Sequence, residues 1–212
     1  MAPDHGFEIS YSRITVGDMG TNAYLVHPTG KKACVIVDPG AEADTISAQV
    51  AAKHLEPVAI VLTHAHIDHC GAADALKHRY RIPLWIHKDD ERLLTSEQNR
   101  QMAAFFRLPP PPDPDRLLDG GMVIFEDFMP LDVMHTPGHT PGSICLAGAG
   151  LLFTGDTLFN GSVGRTDLPG GSFPQLQRSL EAILEFPPET CLLPGHGDLT
   201  NLKQEMALNP FL

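Results

Sequence analysis

Cations are scarce in this chain. Its 212 residues include 15 Lys and Arg against 26 Asp and Glu, a formal net charge of −11. Binding DNA or RNA depends on clustered positive charge, so no nucleic-acid partner is expected. Cysteine is sparse as well. Cys34, Cys70, Cys145 and Cys191 lie far apart with no CxxC pair. That excludes a zinc ribbon and argues against a disulfide frame. The four read as small buried apolar residues in a reducing compartment, with the cytoplasm as the expected location. No run approaches the roughly 20 apolar residues of a membrane span, so no membrane partner is expected. Met1–Gly6 lacks the basic start and apolar stretch of a signal peptide. Trp and Tyr number only 1 and 3, which makes the 11 histidines conspicuous.

What is present is enough for a globular fold. With 42% hydrophobic residues the chain can bury a core, and its length suits one domain over residues 1–212. Strands are predicted at Phe7–Thr15, Ala23–His27 and Ala33–Asp38, separated by glycine- and proline-bearing turns. A helix is predicted from Asp44 to His54, with Asp44 as N-cap. Val58–Leu62 is a continuous apolar run that suits a strand buried on both faces. A helix over Ala72–Tyr80 and a strand over Pro83–His87 follow, and residues 89–106 read as mainly helical. Five of the seven residues Pro109–Asp115 are prolines, which predicts a surface loop. Further strands are predicted at Met122–Phe125, Leu131–His135, Ser143–Leu146, Leu151–Thr154 and Cys191–Leu193. Helices are predicted at Pro174–Phe186 and Asn201–Leu208. This order of strands and helices predicts mixed sheets with helices on their outer faces.

The histidines concentrate where chemistry is usually placed. Thr63-His64-Ala65-His66-Ile67-Asp68-His69 directly follows the buried strand Val58–Leu62. Four candidate metal ligands within six residues at a strand end is a dense arrangement, and imidazole and carboxylate suit divalent transition ions. Three other strands repeat the design on a smaller scale. His139 follows in Thr136-Pro-Gly-His139, Asp156 in Phe153-Thr-Gly-Asp156, and His196 in Leu193-Pro-Gly-His196. Each is an apolar strand, a glycine-bearing turn and a ligand-type side chain. Together they predict loops converging at one sheet edge. His135, one residue before the Thr136 turn, is a candidate supporting residue.

The combined pattern resembles the metallo-beta-lactamase superfamily, whose THxHxDH segment, later His, Asp and last His all occur here in order. The resemblance implies an α/β, four-layer αββα sandwich with two mixed sheets. It also implies two metal ions, expected to be Zn2+ with Fe or Mn as alternatives. One would be held by His64, His66 and His139 and the other by Asp68, His69 and His196, with Asp156 bridging. A shared metal-bound hydroxide would be the nucleophile, with Asp68 also orienting it.

Within the superfamily the chain is most similar to the glyoxalase II (hydroxyacylglutathione hydrolase) type, through Phe153–Phe159 and Gly161–Arg165. The resemblance is to a compact form without the C-terminal helical part, since the chain stops at Leu212. It implies hydrolysis of a small anionic thioester, S-lactoylglutathione or a related acyl-glutathione. Arg165 would meet a substrate carboxylate, unless it caps a turn through Asp167, and Lys203 would be a second anion contact. Loops 108–118 and 161–173 would set specificity. The rival readings are a persulfide dioxygenase using one iron, suggested by Gly164-Arg165-Thr166-Asp167, and a lactonase or other ester hydrolase. A non-enzymatic module would lack a ligand, and none is missing.

Overall fold

The computed structural model describes residues 8–125 and 127–212. Phe7, read above as a strand start, lies outside them. The first half builds one six-stranded sheet from β1 (Ile9–Val16), β2 (Thr21–Pro28), β3 (Ala33–Val37), β4 (Glu56–Val61), β5 (Leu84–His87) and β6 (Arg116–Leu118). Its strands lie in sequence order, antiparallel through β3 and parallel from β3 to β6. Helices α1 (Ala43–Ala52), α2 (Ile67–Cys70), α3 (Ala73–Tyr80), α4 (Glu91–Leu94) and α5 (Glu97–Phe105) occupy its connections.

The second half builds another six-stranded sheet from β7 (Val123–Ile124), β8 (Leu131–His135), β9 (Ile144–Gly148), β10 (Leu151–Gly155), β13 (Cys191–Pro194) and β14 (Thr200–Asn201), in the order β14-β13-β10-β9-β8-β7. A small hairpin of β11 (Leu158–Phe159) and β12 (Ser162–Val163) stands apart. Helices α6 (Phe173–Ile183) and α7 (Leu202–Leu208) pack on the outside.

Alternation along the strands makes four layers. On β2–β5, Leu25, Ile36, Ile60, Leu84 and Ile86 face the helices, while Tyr24, Val26, Val35, Val37 and Val61 face the other sheet. On the second sheet Val133, Ile144, Leu146, Phe153 and Leu193 meet them, while Cys145, Leu152 and Leu192 face α6 through Leu176, Leu180 and Ile183. The expected αββα sandwich with two mixed sheets is therefore what the chain forms. Its cysteines are all free thiols. Cys34, Cys70 and Cys145 are buried and Cys191 is half-buried. No helix among the described residues is long and apolar enough to cross a membrane.

Several boundaries differ from the sequence reading, for physical reasons. α1 begins at Ala43 with Glu42 as its N-cap in the left-handed region, not Asp44. The stretch 89–106 is divided at Thr95–Ser96, where the Ser96 hydroxyl accepts from the Asn99 N–H and starts α5. Ser143 lies outside β9. Strands β6, β11, β12 and β14 were not anticipated. With two or three residues each, they carry no readable alternation. β6 ends with Leu118 buried between the sheets, inside a segment read as loop.

Candidate metal centre

The two sheets are joined at the edge where the histidines gather. The Ile144 N–H donates to Thr63 O (2.9 Å), and the Asn22 N–H donates to Gly195 O (2.7 Å). Tyr24 Oη donates to Pro194 O (2.7 Å). These bonds set the end of β4 against the start of β9, and β2 against the end of β13. The chain leaves β4, bends at Thr63–His64 and is extended at His66, then enters α2, which carries Asp68 and His69.

Two groups of donors result. In the first are His64, His66 and His139, and in the second Asp68, His69 and His196. His66 Nδ1 and His139 Nε2 are 2.8 Å apart, and His69 Nε2 and His196 Nε2 are 3.2 Å apart. Asp68 Oδ2 lies 3.2 Å from His196 Nε2 and 3.5 Å from His69 Nε2. Asp156 stands between the groups, with Oδ1 3.3 Å from His69 Nε2 and Oδ2 3.4 Å from His139 Nε2. A tetrahedral ion with bonds near 2.0 Å sets its ligands about 3.3 Å apart, so these separations are of the right size.

Hydrogen bonds on the far side of the rings fix which nitrogen faces inward. His139 Nδ1 donates to Arg165 O (2.7 Å), His196 Nδ1 to Met19 O (3.2 Å) and His69 Nδ1 to Asp38 Oδ2 (3.0 Å). His64 Nδ1 meets the Thr63 hydroxyl (3.1 Å), which itself donates to Asp38 Oδ2. Each of these four rings therefore directs an Nε2 lone pair at the centre. His64 Nε2 and Asp156 Oδ1 are buried with no hydrogen-bond partner. Acceptor facing acceptor, with two orphaned atoms between, is an arrangement a cation satisfies and neutral side chains alone do not.

The electrostatics are those of a buried cluster. Burial and the neighbouring imidazoles of His69 and His139 hold His64 well below the usual histidine range. Burial and His139 bring His66 down to about 4. His69 is buried too, but Asp156, Asp68 and Asp38 outweigh the burial and raise it. Burial pushes Asp68 up, yet His69 and His196 leave it below the usual carboxylate range. Gly195 makes the closeness possible, because a Cβ there would run into Asp156 Oδ1 and the His69 ring.

Three residues that the sequence did not single out hold this geometry. Asp38 sits at φ 49° and accepts from Thr63 N (2.7 Å) and Thr63 Oγ1 (2.6 Å) as well as His69. Its only sequence signal was an Asp-Pro-Gly turn. Asp90 is fully buried and accepts from Ala65 N (2.8 Å), Thr140 Oγ1 (2.7 Å) and Gly142 N (2.6 Å). It fastens the His64–His66 turn to the loop of His139. Asn99 donates to Ala65 O (2.5 Å) and so grips the same residue from its other side. Asp90 and Asn99 lie in a stretch read only as helical, where nothing local marks them.

The remaining candidates divide. His135 Nε2 donates to Pro141 O (2.8 Å), so it props the loop of His139, and its ring stacks on buried His87 at 4.0 Å. Arg165 lines the pocket above the two groups, but its guanidinium is paired with Asp167 at 2.7 and 2.6 Å. The guanidinium thus meets Asp167, the partner named in its alternative reading, and the Arg165 group that reaches the donor rings is its backbone carbonyl, on His139. Lys203 is not brought to the site. Its N–H donates to Pro188 O before the start of β13, whereas His196 follows that strand's other end. Of the two expected specificity loops, 161–173 supplies Arg165, Leu168 and Pro169 to the pocket, whose other wall is Leu93, Gln98, Asn99 and Met102 of α4 and α5. Leu108 lines a neighbouring pocket instead.

Comparison with known proteins agrees with this geometry. The metallo-beta-lactamase superfamily profile matches residues 16–196. A probable metallo-hydrolase, YqgX of Bacillus subtilis, is 36% identical over 208 residues, covering 96% of this chain and 98% of the relative. Hydroxyacylglutathione hydrolase GloC of Haemophilus influenzae is 35% identical over 188 residues, covering 86% and 88%. The crystal structure of TTHA1623 in a di-iron-bound form superposes with a TM-score of 0.87 at 40% identity, covering 95% of this chain and all (100%) of that one. With the profile spanning all seven donors, the chain belongs to the metallo-beta-lactamase superfamily, as a metal-dependent hydrolase.

Proposed function

We propose that the protein is a binuclear hydrolase of acyl thioesters, with S-lactoylglutathione as its reference substrate. The observation that carries this reading is the pair of complete donor groups with one Asp156 oxygen turned to each. His64, His66 and His139 would hold one ion, Asp68, His69 and His196 the second, and Asp156 both. Two such ions supply a water of near-neutral pKa and Lewis-acid polarisation of the thioester carbonyl. No serine or cysteine nucleophile is then required. Zn2+ suits this nitrogen and oxygen set, and the di-iron relative makes iron the first alternative, with Mn next.

The chain's own groups do the positioning. Thr21 Oγ1 donates to Asp68 Oδ2 (3.2 Å), and Asp68 so held orients the attacking water. Asp38 fixes the His69 ring and Arg165 O the His139 ring. The named hydroxyacylglutathione hydrolase relative supports the glutathione thioester as substrate class, a small anion that cations at the site would attract. Four free cysteines fit a reducing, cytoplasmic setting.

The test is thiol release from S-lactoylglutathione by the metal-loaded protein. Turnover that disappears on chelation and returns with metal supports the reading. No thiol release at two metals per chain overturns it. The segment Gly164–Asp167 is the observation that keeps a persulfide dioxygenase in view. Oxygen uptake with glutathione persulfide at one iron per chain would put that activity in place of the hydrolase.

A further inference from the structure

Above the two donor groups lies a pocket of about 390 Å³. Away from the histidines and carboxylates its apolar wall is Met19, Ile67, Leu93, Met102, Leu168 and Pro169, and its polar lining is Gln98, Asn99 and Arg165. Among the described residues its only Lys or Arg is Arg165, already paired twice with Asp167. Both amide N–H groups of Asn99 are also occupied, by Ala65 O and Leu94 O. An acyl hydroxyl or carboxylate would therefore find, among the described residues, only the Gln98 amide as a free side-chain donor of the wall. Met19 and Met102 are 44% and 40% exposed, large apolar groups left open beside a polar centre. Unbranched thioethers of this kind adapt to differently shaped apolar ligands.

We propose that this is an acyl pocket selective for apolar acyl groups larger than lactoyl. The proposal rests on the thioester hydrolase reading for its reaction. The carbonyl would sit at the donor groups and the alkyl or aryl tail against the Met19, Met102 and Leu168 wall. Each methylene moved from water into such a wall strengthens binding by about fourfold when fully buried. The pocket is partly open, so a six-carbon acyl group should gain at least about tenfold over a two-carbon one.

The test has two arms on zinc-reconstituted protein. Titration calorimetry with acetate, lactate and hexanoate reads the pocket without turnover. Hydrolysis of S-acetyl-, S-lactoyl- and S-hexanoylglutathione reads it with the thiol half held constant. Hexanoate is expected to bind at least about tenfold tighter than acetate and tighter than lactate, with kcat/KM following that order. Met102→Gln and Leu168→Gln, checked for native circular dichroism, should shrink the hexanoate-to-acetate ratio severalfold. Hexanoate binding no tighter than lactate overturns the proposal even if S-lactoylglutathione is cleaved. Tight hexanoate binding without cleavage of any thioester supports the pocket and sinks the thioesterase reading instead.

Discussion

Removing the Asp90 carboxylate should damage a metal group that Asp90 never touches. The carboxylate receives three hydrogen bonds of 2.6 to 2.8 Å in a fully buried setting. In Asp90→Ala, Thr140 Oγ1 can still turn to Ser143 Oγ at 2.8 Å. Ala65 N and Gly142 N have no such alternative, and each stranded buried donor costs about 1–3 kcal/mol. A loss of about 3–5 kcal/mol follows for two stranded donors plus the cavity. Ala65 lies between His64 and His66, and Gly142 lies in the loop of His139, so the first donor group should also splay. Urea unfolding of the metal-free protein reads the stability loss, and competition with a chromophoric chelator reads the metal affinity. The weaker-binding ion should be the one at His64, His66 and His139, by at least about tenfold, as for other supports of ligand geometry. A variant that loses less than about 1 kcal/mol and binds both ions like the wild type would refute the reasoning.

Other expectations follow from the same geometry. Gly195→Ala should fold but bind the ions at least about tenfold more weakly, because its Cβ collides with Asp156 and His69, and chelator competition checks this. Burial and the stacked His135 bring His87 down to about 4, against the carboxylates of Asp89 and Asp119 and with Lys88 nearby. The unfolded chain then binds the extra proton between pH 6.5 and about 4, so stability falls as pH drops through that window. His87→Asn should lose less Tm than the wild type between pH 7 and pH 5 in paired thermal melts. Arg165→Ala should leave metal content unchanged, since only its carbonyl reaches His139. The exposed Arg165–Asp167 pair contributes little to stability, and a KM for S-lactoylglutathione raised severalfold would show that the arginine exchanges Asp167 for substrate.

Most strands and the candidate donor side chains were legible in the sequence because both rest on local patterns, whereas the four layers followed from the family resemblance. Runs such as Val58–Leu62 announce buried strands, and His64-Ala-His66-Ile-Asp68-His69 places four donors at one strand end. The supporting residues were not legible, because their role exists only across the fold. Asp90 and its partner Gly142 are 52 positions apart, joined by the packing of one sheet on the other. Lys203 shows the converse. Its charge and position near the end of the chain suggested an anion contact, yet the antiparallel pairing of β14 with β13 returns the chain to the strand end away from His196. The acyl pocket depends on α4 and α5 turning their Leu93 and Met102 toward the centre, which no local spacing announces.

The most direct test of the central claim is the number of ions bound per chain, measured by plasma mass spectrometry on purified wild-type protein beside Asp156→Ala. Two complete donor groups sharing one carboxylate require two ions per wild-type chain and depletion of both in the variant. One ion per wild-type chain, or two retained in Asp156→Ala, would contradict a binuclear centre bridged by that residue.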